Sequence, residues 1–196
     1  MNKYLLIIIA AAVMVGFGAF AQNANTFKDN RDGKTYKTVK IDTKVWMAEN
    51  LNFKAKRSKC YENKNANCAK YGRLYDWATA NKACPAGFHL ASDDEWTALE
   101  NTVGGSEIAG IKLKSARGWD DNGNGTDGYG FSALPGGYGN NEGGFVNAGG
   151  RGGRWWSATE YDADNGRFRF MFYNLEYVYS SGAYKTNLYS VRCVKD

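Results

Sequence analysis

The sequence predicts a single domain of the mixed α+β class, with two helices, small antiparallel sheets and a long glycine-rich loop region. Apolar residues recur at helical spacing within residues 73–83 and 92–103, whereas they alternate with a period of two within residues 167–173. Half of the residues from 136 to 153 are glycine. Aromatic residues recur from residue 119 to residue 145, so we expect an ordered loop region and not a disordered linker.

Residues 1–21 carry the pattern of a cleaved secretory signal peptide, which leaves residues 22–196 as the mature domain. Lys3 precedes an apolar run over residues 4–17, and a small-x-small cleavage site follows it. The alternative is an uncleaved N-terminal anchor. We expect an exported chain that is not inserted in the membrane after cleavage, and that stays in the periplasm, reaches the outer surface or is released.

The formal net charge of +5 is modest, and charges of both signs are interspersed, which argues against nucleic acid as a partner. The lysine-rich stretch at residues 54–64 is more typical of a solvated loop than of a nucleic-acid site. Neither pattern predicts an oligomeric state.

Four cysteines in an exported chain predict two disulfides, with three possible pairings. We favour Cys60–Cys68 and Cys84–Cys193. The first bond would hold a loop that is rich in Lys and Asn and has no apolar pattern of its own, and the second would close a much longer loop. A metal site is the alternative, but the chain has no C-x-x-C pair and its one histidine is His89.

Two short strands are predicted near the start of the domain, after the turn signal Asp32-Gly33. Apolar residues recur through residues 36–46, and the two strands are expected to meet near Asp42-Thr43. Residues 47–53 then run out of this strand pair across the core.

The middle of the chain predicts the two helices. The first covers residues 73–83, and Pro85 ends it because proline has no N–H and restricts the residue before it. A short apolar strand follows at residues 88–91. Ser92 and Glu95 then form the S-x-x-E capping box of the second helix. For the next apolar stretch, at 108–115, both a short helix and a turn are open.

The last part of the chain, from residue 154, is predicted to be rich in strands. Phe168, Phe170 and Phe172 alternate with more polar residues, so we expect one strand face to hide the three phenylalanines while Arg167 and Arg169 face elsewhere. A closing strand is expected at the C-terminal end, with Cys193 in it.

Seven stretches, in this order, resemble the Fibrobacter succinogenes major paralogous domain family over residues 27–196. They are RDGKTYKTVKI, WMAENLNF, CAKYGRLYDWATANKACPAGFHLASDDEW, AGIKLKS, NGTDGYGFSALPGG, WWSATE and SVRCVKD. The resemblance implies an exported bacterial protein. It does not imply an activity, because the family is largely uncharacterised.

A more distant similarity is to the C-type-lectin-like fold. The residues that carry it are Trp77, Cys84, Gly87, His89, Leu90, Ser92 and Cys193. It implies two helices, termini close together, a long loop region and the Cys84–Cys193 bond. The triplets that bind calcium and sugar together in such lectins are absent. The fold is shared with formylglycine-generating enzymes, whose redox cysteine pair has no counterpart here because all four cysteines have structural assignments.

A calcium site is the one cofactor that the residues suggest. Asp120, Asn122, Asn124 and Asp127 resemble the start of an EF-hand loop, but its bidentate Glu is replaced by Phe131. We favour a turn in which these side chains bond their own backbone, with a weak calcium site as the alternative.

No catalytic set is recognisable, so we expect a protein that is not an enzyme. The acids at residues 93–95 suit the N-terminus of a helix, and Glu95 belongs to the capping box. His89 continues an apolar strand, which favours a packed core residue over a general base. No nucleophile elbow, phosphate loop or H-E-x-x-H motif occurs.

The aromatic C-terminal segment is the best candidate for binding, because exposed aromatic faces stack on sugar rings and other flat ligands. The predicted ligand-binding residues are Trp155, Trp156, Tyr161, Arg167, Arg169, Tyr177 and Tyr179. The ligand would be a polysaccharide or a cell-surface protein. Two alternatives stay open: the aromatics pack in the core, or they join a structural subunit of the cell envelope to its neighbours.

Overall fold

The computed structural model describes residues 25–196, so the predicted signal peptide lies outside the described residues. Within this range the fold is α+β, as predicted, with two five-stranded sheets and four α-helices. The strands are β1 (Asn25–Lys28), β2 (Thr35–Ile41), β3 (Lys44–Met47), β4 (Phe88–Leu90), β5 (Gly136–Gly139), β6 (Phe145–Ala148), β7 (Gly152–Glu160), β8 (Asn165–Phe172), β9 (Tyr179–Tyr184) and β10 (Cys193–Lys195). The helices are α1 (Asn65–Tyr71), α2 (Trp77–Ala83), α3 (Asp93–Thr102) and α4 (Ser106–Leu113). None of these four is long and apolar enough to cross a bilayer.

The first sheet contains both the first and the last strand of the described chain, in the order β1-β2-β3-β10-β4. β2 and β3 pair antiparallel and turn at Asp42, whose φ of 53° is a left-handed value that Asp tolerates better than most residues. β10 lies between β3 and β4, where Val194 is opposite both Trp46 and His89. The predicted strand pair, the short strand near residue 89 and the end of the predicted closing strand therefore share one sheet.

Both predicted disulfides are present. The Cα atoms are 4.9 Å apart in Cys60–Cys68 and 5.9 Å apart in Cys84–Cys193, distances that a disulfide can bridge. Cys84 follows the last residue of α2, and Cys193 is the first residue of β10. The second bond therefore fastens α2 to β10, an interior strand of the first sheet.

Local signals set the starts of two helices. The predicted capping box is present at α3, where Ser92 Oγ accepts from the Glu95 N–H and the Glu95 carboxylate accepts from the Ser92 N–H. α2 begins at Trp77 and not at residue 73, because the Asp76 side chain caps it by accepting from the Thr79 N–H. The structure has two helices besides the two predicted ones. α1 lies in a segment that was expected to be a loop, and α4 lies in the stretch for which both a short helix and a turn were expected.

The second sheet, in the order β6-β5-β7-β8-β9, takes up the glycine-rich segment. The predicted loop over residues 136–153 is therefore wrong for much of its length. Glycine is needed there because neighbours approach closely: a Cβ on Gly153 would lie 2.5 Å from the Trp155 ring, and one on Gly137 would lie 2.6 Å from the Val146 carbonyl oxygen. The first part of the predicted loop region is confirmed, since residues 114–135 contain no helix or strand.

β7 separates two hydrophobic cores, because successive side chains of a strand point to opposite faces. Trp155 packs in a core with Trp46 and Trp96. Trp156 packs in the other core, where its ring stacks on Tyr189 with centroids 4.2 Å apart. The second sheet is thus covered on both faces around these two residues, and a free surface must lie elsewhere.

Candidate functional site

Trp155 and Trp156 cannot contact a ligand, so their prediction as binding residues is wrong. Both are 0% exposed, and both indole N–H groups are satisfied internally. Trp155 Nε1 donates to Asn50 Oδ1 at 2.8 Å, and Trp156 Nε1 donates to the Tyr75 carbonyl at 2.8 Å. The physical reason is that β7 is a central strand with a core on each side.

Arg169 is also misassigned, because its side chain is only 2% exposed. Its guanidinium ion-pairs with Glu100 Oε1 at 2.6 Å and with the Asp93 carboxylate, and it donates to Ser180 Oγ at 2.8 Å. Burial raises the pKa of Glu100, an effect that the charge of Arg169 opposes. The face of β8 that was expected to be free is the one that packs on α3.

The four remaining predicted residues do not form one surface. Arg167 lies over the Tyr161 ring at 5.2 Å, on the sheet face where Arg167 pairs with Gly182. Tyr179 pairs with Phe170 and lies on the opposite face. Tyr177 lies beside α4, outside the strands.

The arrangement that the structure does bring together is a row of side chains across four neighbouring strands. We call it the aromatic face, and it consists of Tyr138, Arg154, Phe170, Phe172 and Tyr179. Arg154 on β7 is opposite Phe170 on β8, which is opposite Tyr179 on β9. Tyr138, on β5, lies under the Arg154 guanidinium at 3.8 Å from the ring centroid. Tyr179 is 49% exposed, and the other four are partly exposed.

A glycine lets the rings of this face lie close to the sheet. Gly152 on β7 is opposite Phe172 on β8, and a Cβ at Gly152 would lie 2.9 Å from the Phe172 ring and 3.0 Å from the Phe170 ring. The two phenylalanine rings are in contact, with centroids 5.5 Å apart. Of the three alternating phenylalanines, then, only Phe168 is buried as predicted, and Phe170 and Phe172 reach the surface.

Aromatic rings surround the Arg154 guanidinium at the centre of the aromatic face. Its guanidinium lies 5.1 Å from the Phe170 centroid and 5.3 Å from the Phe168 centroid. Its Nη1 donates to the Tyr189 hydroxyl at 3.0 Å, whereas its buried Nε has no hydrogen-bond partner among the described residues. Burial raises the pKa of Tyr189, and the Arg154 charge opposes that rise. The face therefore combines apolar ring surfaces with a fixed positive charge.

The calcium candidate lies in the irregular region, away from the aromatic face. Asn124 Oδ1 accepts from the Trp119 N–H at 3.0 Å, and the Asp127 carboxylate accepts from the Ser132 N–H at 2.7 Å. Two of the four candidate ligands thus already bond within the loop, as the turn interpretation expects. Calcium binding stays a prediction. Residues 25–196 contain no group of three or more His, Cys, Asp or Glu that could hold a metal.

His89 is not the packed core residue that its neighbours predicted. Its side chain is 39% exposed and lies between two acids. Nδ1 is 2.6 Å from Asp196 Oδ1, and Nε2 is 2.9 Å from Glu95. Lys44 Nζ also bonds Glu95, at 2.9 Å. With a carboxylate on each ring nitrogen, this is an ion-pair cluster that links β4, α3 and the end of β10.

We expect this cluster to stabilise the fold most between about pH 4.5 and 6.5. Burial would lower the pKa of His89, but the bonds to Asp196 and Glu95 raise it above its ordinary 6.5, so its contribution is lost as the pH rises through the raised value. Burial opposes ionisation of Glu95, but the Ser92 amide, Lys44 and His89 lower its pKa to about 2, so its contribution is lost as the pH falls from 4.5 toward that value.

The measurement is the melting temperature of the wild type and of His89→Gln between acid and weakly alkaline pH. The wild type should exceed the variant by an amount corresponding to about 1 kcal/mol or less, since the pair is exposed. This difference should shrink above the raised pKa of His89. A difference that does not change with pH would contradict the ion-pair assignment.

Comparison with known proteins gives the family. The model of the Fibrobacter succinogenes major domain matches residues 39–195, which is most of the chain. No curated protein and no solved structure matches this chain. The likeness to C-type lectins and to formylglycine-generating enzymes stays a prediction. The chain belongs to the Fibrobacter succinogenes major domain family.

Proposed function

We propose that this protein is a non-catalytic binding module of the cell exterior that holds a polysaccharide on its aromatic face. The observation that carries the proposal is the row Tyr138, Arg154, Phe170 and Tyr179, which lies across four neighbouring strands and reaches the surface. At the usual distance between strands, the row is about 14 Å long. That length suits a short stretch of a glycan chain better than a single small molecule.

The chemistry of the row suits sugars. Aromatic rings present flat apolar faces to the C–H groups of a sugar ring, while Arg154 and the tyrosine hydroxyls can bond its oxygens. The side chains stand on paired strands, and Gly152 lets the phenylalanine rings settle against the sheet. Little conformational freedom is therefore lost on binding, which favours affinity.

A location outside the cytoplasm is supported by the two disulfides, which persist in oxidising compartments. The same bonds support a role without catalysis of the formylglycine-generating type. That chemistry needs a reactive cysteine pair, and all four cysteines are joined as Cys60–Cys68 and Cys84–Cys193.

Binding should weaken when rings are removed from the aromatic face. The test variant is Phe172→Ala with Tyr179→Ala, and the control is Tyr177→Ala. Tyr177 is 37% exposed but lies outside the aromatic face. Two lost stacking contacts should weaken binding about tenfold or more. The measurement is retention on cellulose, xylan and other plant-wall glycans, followed by calorimetry with the glycan retained. Equal affinity of the double variant and the wild type would reject the face as the site.

An assembly subunit of the cell envelope is the second candidate. The observation that favours it is that, within residues 25–196, β9 is an edge strand of the second sheet and pairs with β8 alone. Tyr184, at the end of β9, is 56% exposed. An edge strand can pair with another chain through its free backbone groups. A particle size that rises with concentration, without glycan retention, would favour this candidate over the first.

A further inference from the structure

A groove of about 380 Å³ lies at the β5–β6 turn, and none of the five residues of the aromatic face lines it. Four separate parts of the chain line it: residues 56–59, Asp76, residues 139–145 at the β5–β6 turn, and residues 186–188. A cavity of this volume falls within the range of ligand sites. The lysine-rich stretch, expected to be a solvated loop, therefore supplies one wall of a groove.

The groove is positively charged. Lys56, Arg57 and Lys59 line it, and Asp76 is the one acid among the lining residues in the described part of the chain. Asp76 is already satisfied, since it accepts from the Thr79 N–H at 2.8 Å and pairs with Arg57 Nε at 2.6 Å. Lys56 and Lys59 are exposed and belong to none of the ion pairs within residues 25–196. Two cationic groups thus remain uncompensated.

The wall that carries these cations is fixed. Lys59 exchanges two backbone hydrogen bonds with Leu74, each of 2.9 Å, and the next residue is Cys60 of the first disulfide. Ser58 accepts at its hydroxyl from Arg73 Nε at 2.8 Å. The charged side chains therefore extend from an anchored backbone and not from a free loop.

The opposite wall offers neutral donors. In the β5–β6 turn the Asn140 N–H donates to the Gly144 carbonyl oxygen at 2.8 Å, and Asn140 Oδ1 accepts from the Gly144 N–H at 2.6 Å. These bonds fix the Asn140 amide at the groove, where its Nδ2 makes no hydrogen bond within the described chain. Asn141 lines the groove next to it. An acceptor-rich ligand would meet lysines on one wall and amide groups on the other.

We propose that this groove binds a carboxylate or phosphate group carried by a sugar, at a site distinct from the aromatic face. Lysine and arginine form their strongest hydrogen bonds with such multi-oxygen anions. A nucleic acid fits less well, because its binding needs cations spread along a row of phosphates, whereas the cations here are gathered within residues 56–59. The choice of a sugar as the carrier of the anion rests on the proposed function, and the groove would add an ionic contact to the contacts that the aromatic face makes.

The test uses calorimetry with three probes: digalacturonic acid, glucose 6-phosphate and the neutral disaccharide lactose. The variant is Lys56→Gln with Lys59→Gln. The control is Lys40→Gln with Lys82→Gln, which removes the same charge from exposed positions outside the groove. We expect the groove variant to weaken binding of at least one anionic probe about tenfold, with the control close to wild type and lactose not bound at the groove. Melting temperatures check that both variants fold.

The two anionic probes distinguish the source of the charge. Binding of digalacturonic acid alone assigns a uronic acid, and binding of glucose 6-phosphate alone assigns a sugar phosphate. The proposal is overturned if neither binds, or if groove variant and control lose affinity equally, since the effect would then be one of net charge. Removing rings from the aromatic face should leave anion binding unchanged, so the two proposals fail independently.

Discussion

Replacing Arg192 with leucine is expected to destabilise the protein by about 3–5 kcal/mol, because it would leave buried carbonyl oxygens without their donor. Arg192 is 0% exposed. Its guanidinium donates to Asn50 Oδ1 at 2.7 Å, to the Met47 carbonyl at 2.9 Å and to the Phe131 carbonyl at 2.6 Å. A fourth bond, of 2.9 Å, reaches the Ser132 carbonyl. Each buried acceptor that loses its donor costs about 1–3 kcal/mol.

These bonds tie the irregular region to the first sheet. Met47 ends β3, Arg192 directly precedes β10, and Phe131 and Ser132 lie in residues 114–135, which have no helix or strand of their own. Burial lowers the pKa of Arg192 to about 9, so the group keeps its charge at neutral pH. Leucine would fill part of the volume but would replace none of the four bonds, although Asn50 Oδ1 would keep its bond from Trp155 Nε1.

Urea unfolding measures the effect, with Arg117→Leu as a matched control, since Arg117 is exposed. Arg192→Lys should fall between the wild type and leucine, because it keeps the charge and a subset of the bonds. A loss below about 1 kcal/mol for Arg192→Leu would contradict the central role of this side chain. If the leucine variant does not fold, the position of the lysine variant still decides the question.

The burial of Arg192 and Arg169 could not be predicted from the sequence. Both stand in strand-like patterns, where a charged residue is expected to face solvent. Their burial depends on partners far along the chain: Glu100 for Arg169, and Met47 and Phe131 for Arg192. Nothing within a few residues of either arginine signals these partners.

Features encoded over a few residues were predicted well. The capping box of Ser92 and Glu95 is present because both groups bond within one helical turn. α2 starts four residues later than the apolar spacing predicts, because the Asp76 side chain caps the helix at Trp77. The disulfides could be proposed because four cysteines allow only three pairings.

The aromatic face could not be predicted, because its residues come from β5, β7, β8 and β9. Alternation correctly placed Phe168, Phe170 and Phe172 on one side of a strand. It could not reveal that one end of that side is covered by Tyr189 while the other end reaches the surface. Strand order and register decide which residues are neighbours, and they follow from the whole fold.

Removing the Cys84–Cys193 bond should destabilise the protein by about 5 kcal/mol in the chain-entropy model, and removing Cys60–Cys68 by about half as much. The difference arises from loop length, since the bonds close sequence separations of 109 and 8 residues. The variants are Cys84→Ala with Cys193→Ala and Cys60→Ala with Cys68→Ala. Each should be compared with the wild type by urea unfolding without reductant.

The position of each bond predicts a second difference between these variants. Cys193 is the first residue of β10, which lies between β3 and β4. Loss of the Cys84–Cys193 bond should therefore loosen the whole first sheet and lower the cooperativity of unfolding. Cys60 instead follows Lys59 in the wall of the cationic groove, so its loss should weaken anion binding while the aromatic face keeps its glycan affinity. Equal losses of stability in the two variants would contradict the loop-length argument. Unchanged anion binding without Cys60–Cys68 would mean that the backbone pairing of Lys59 with Leu74 alone holds the groove wall.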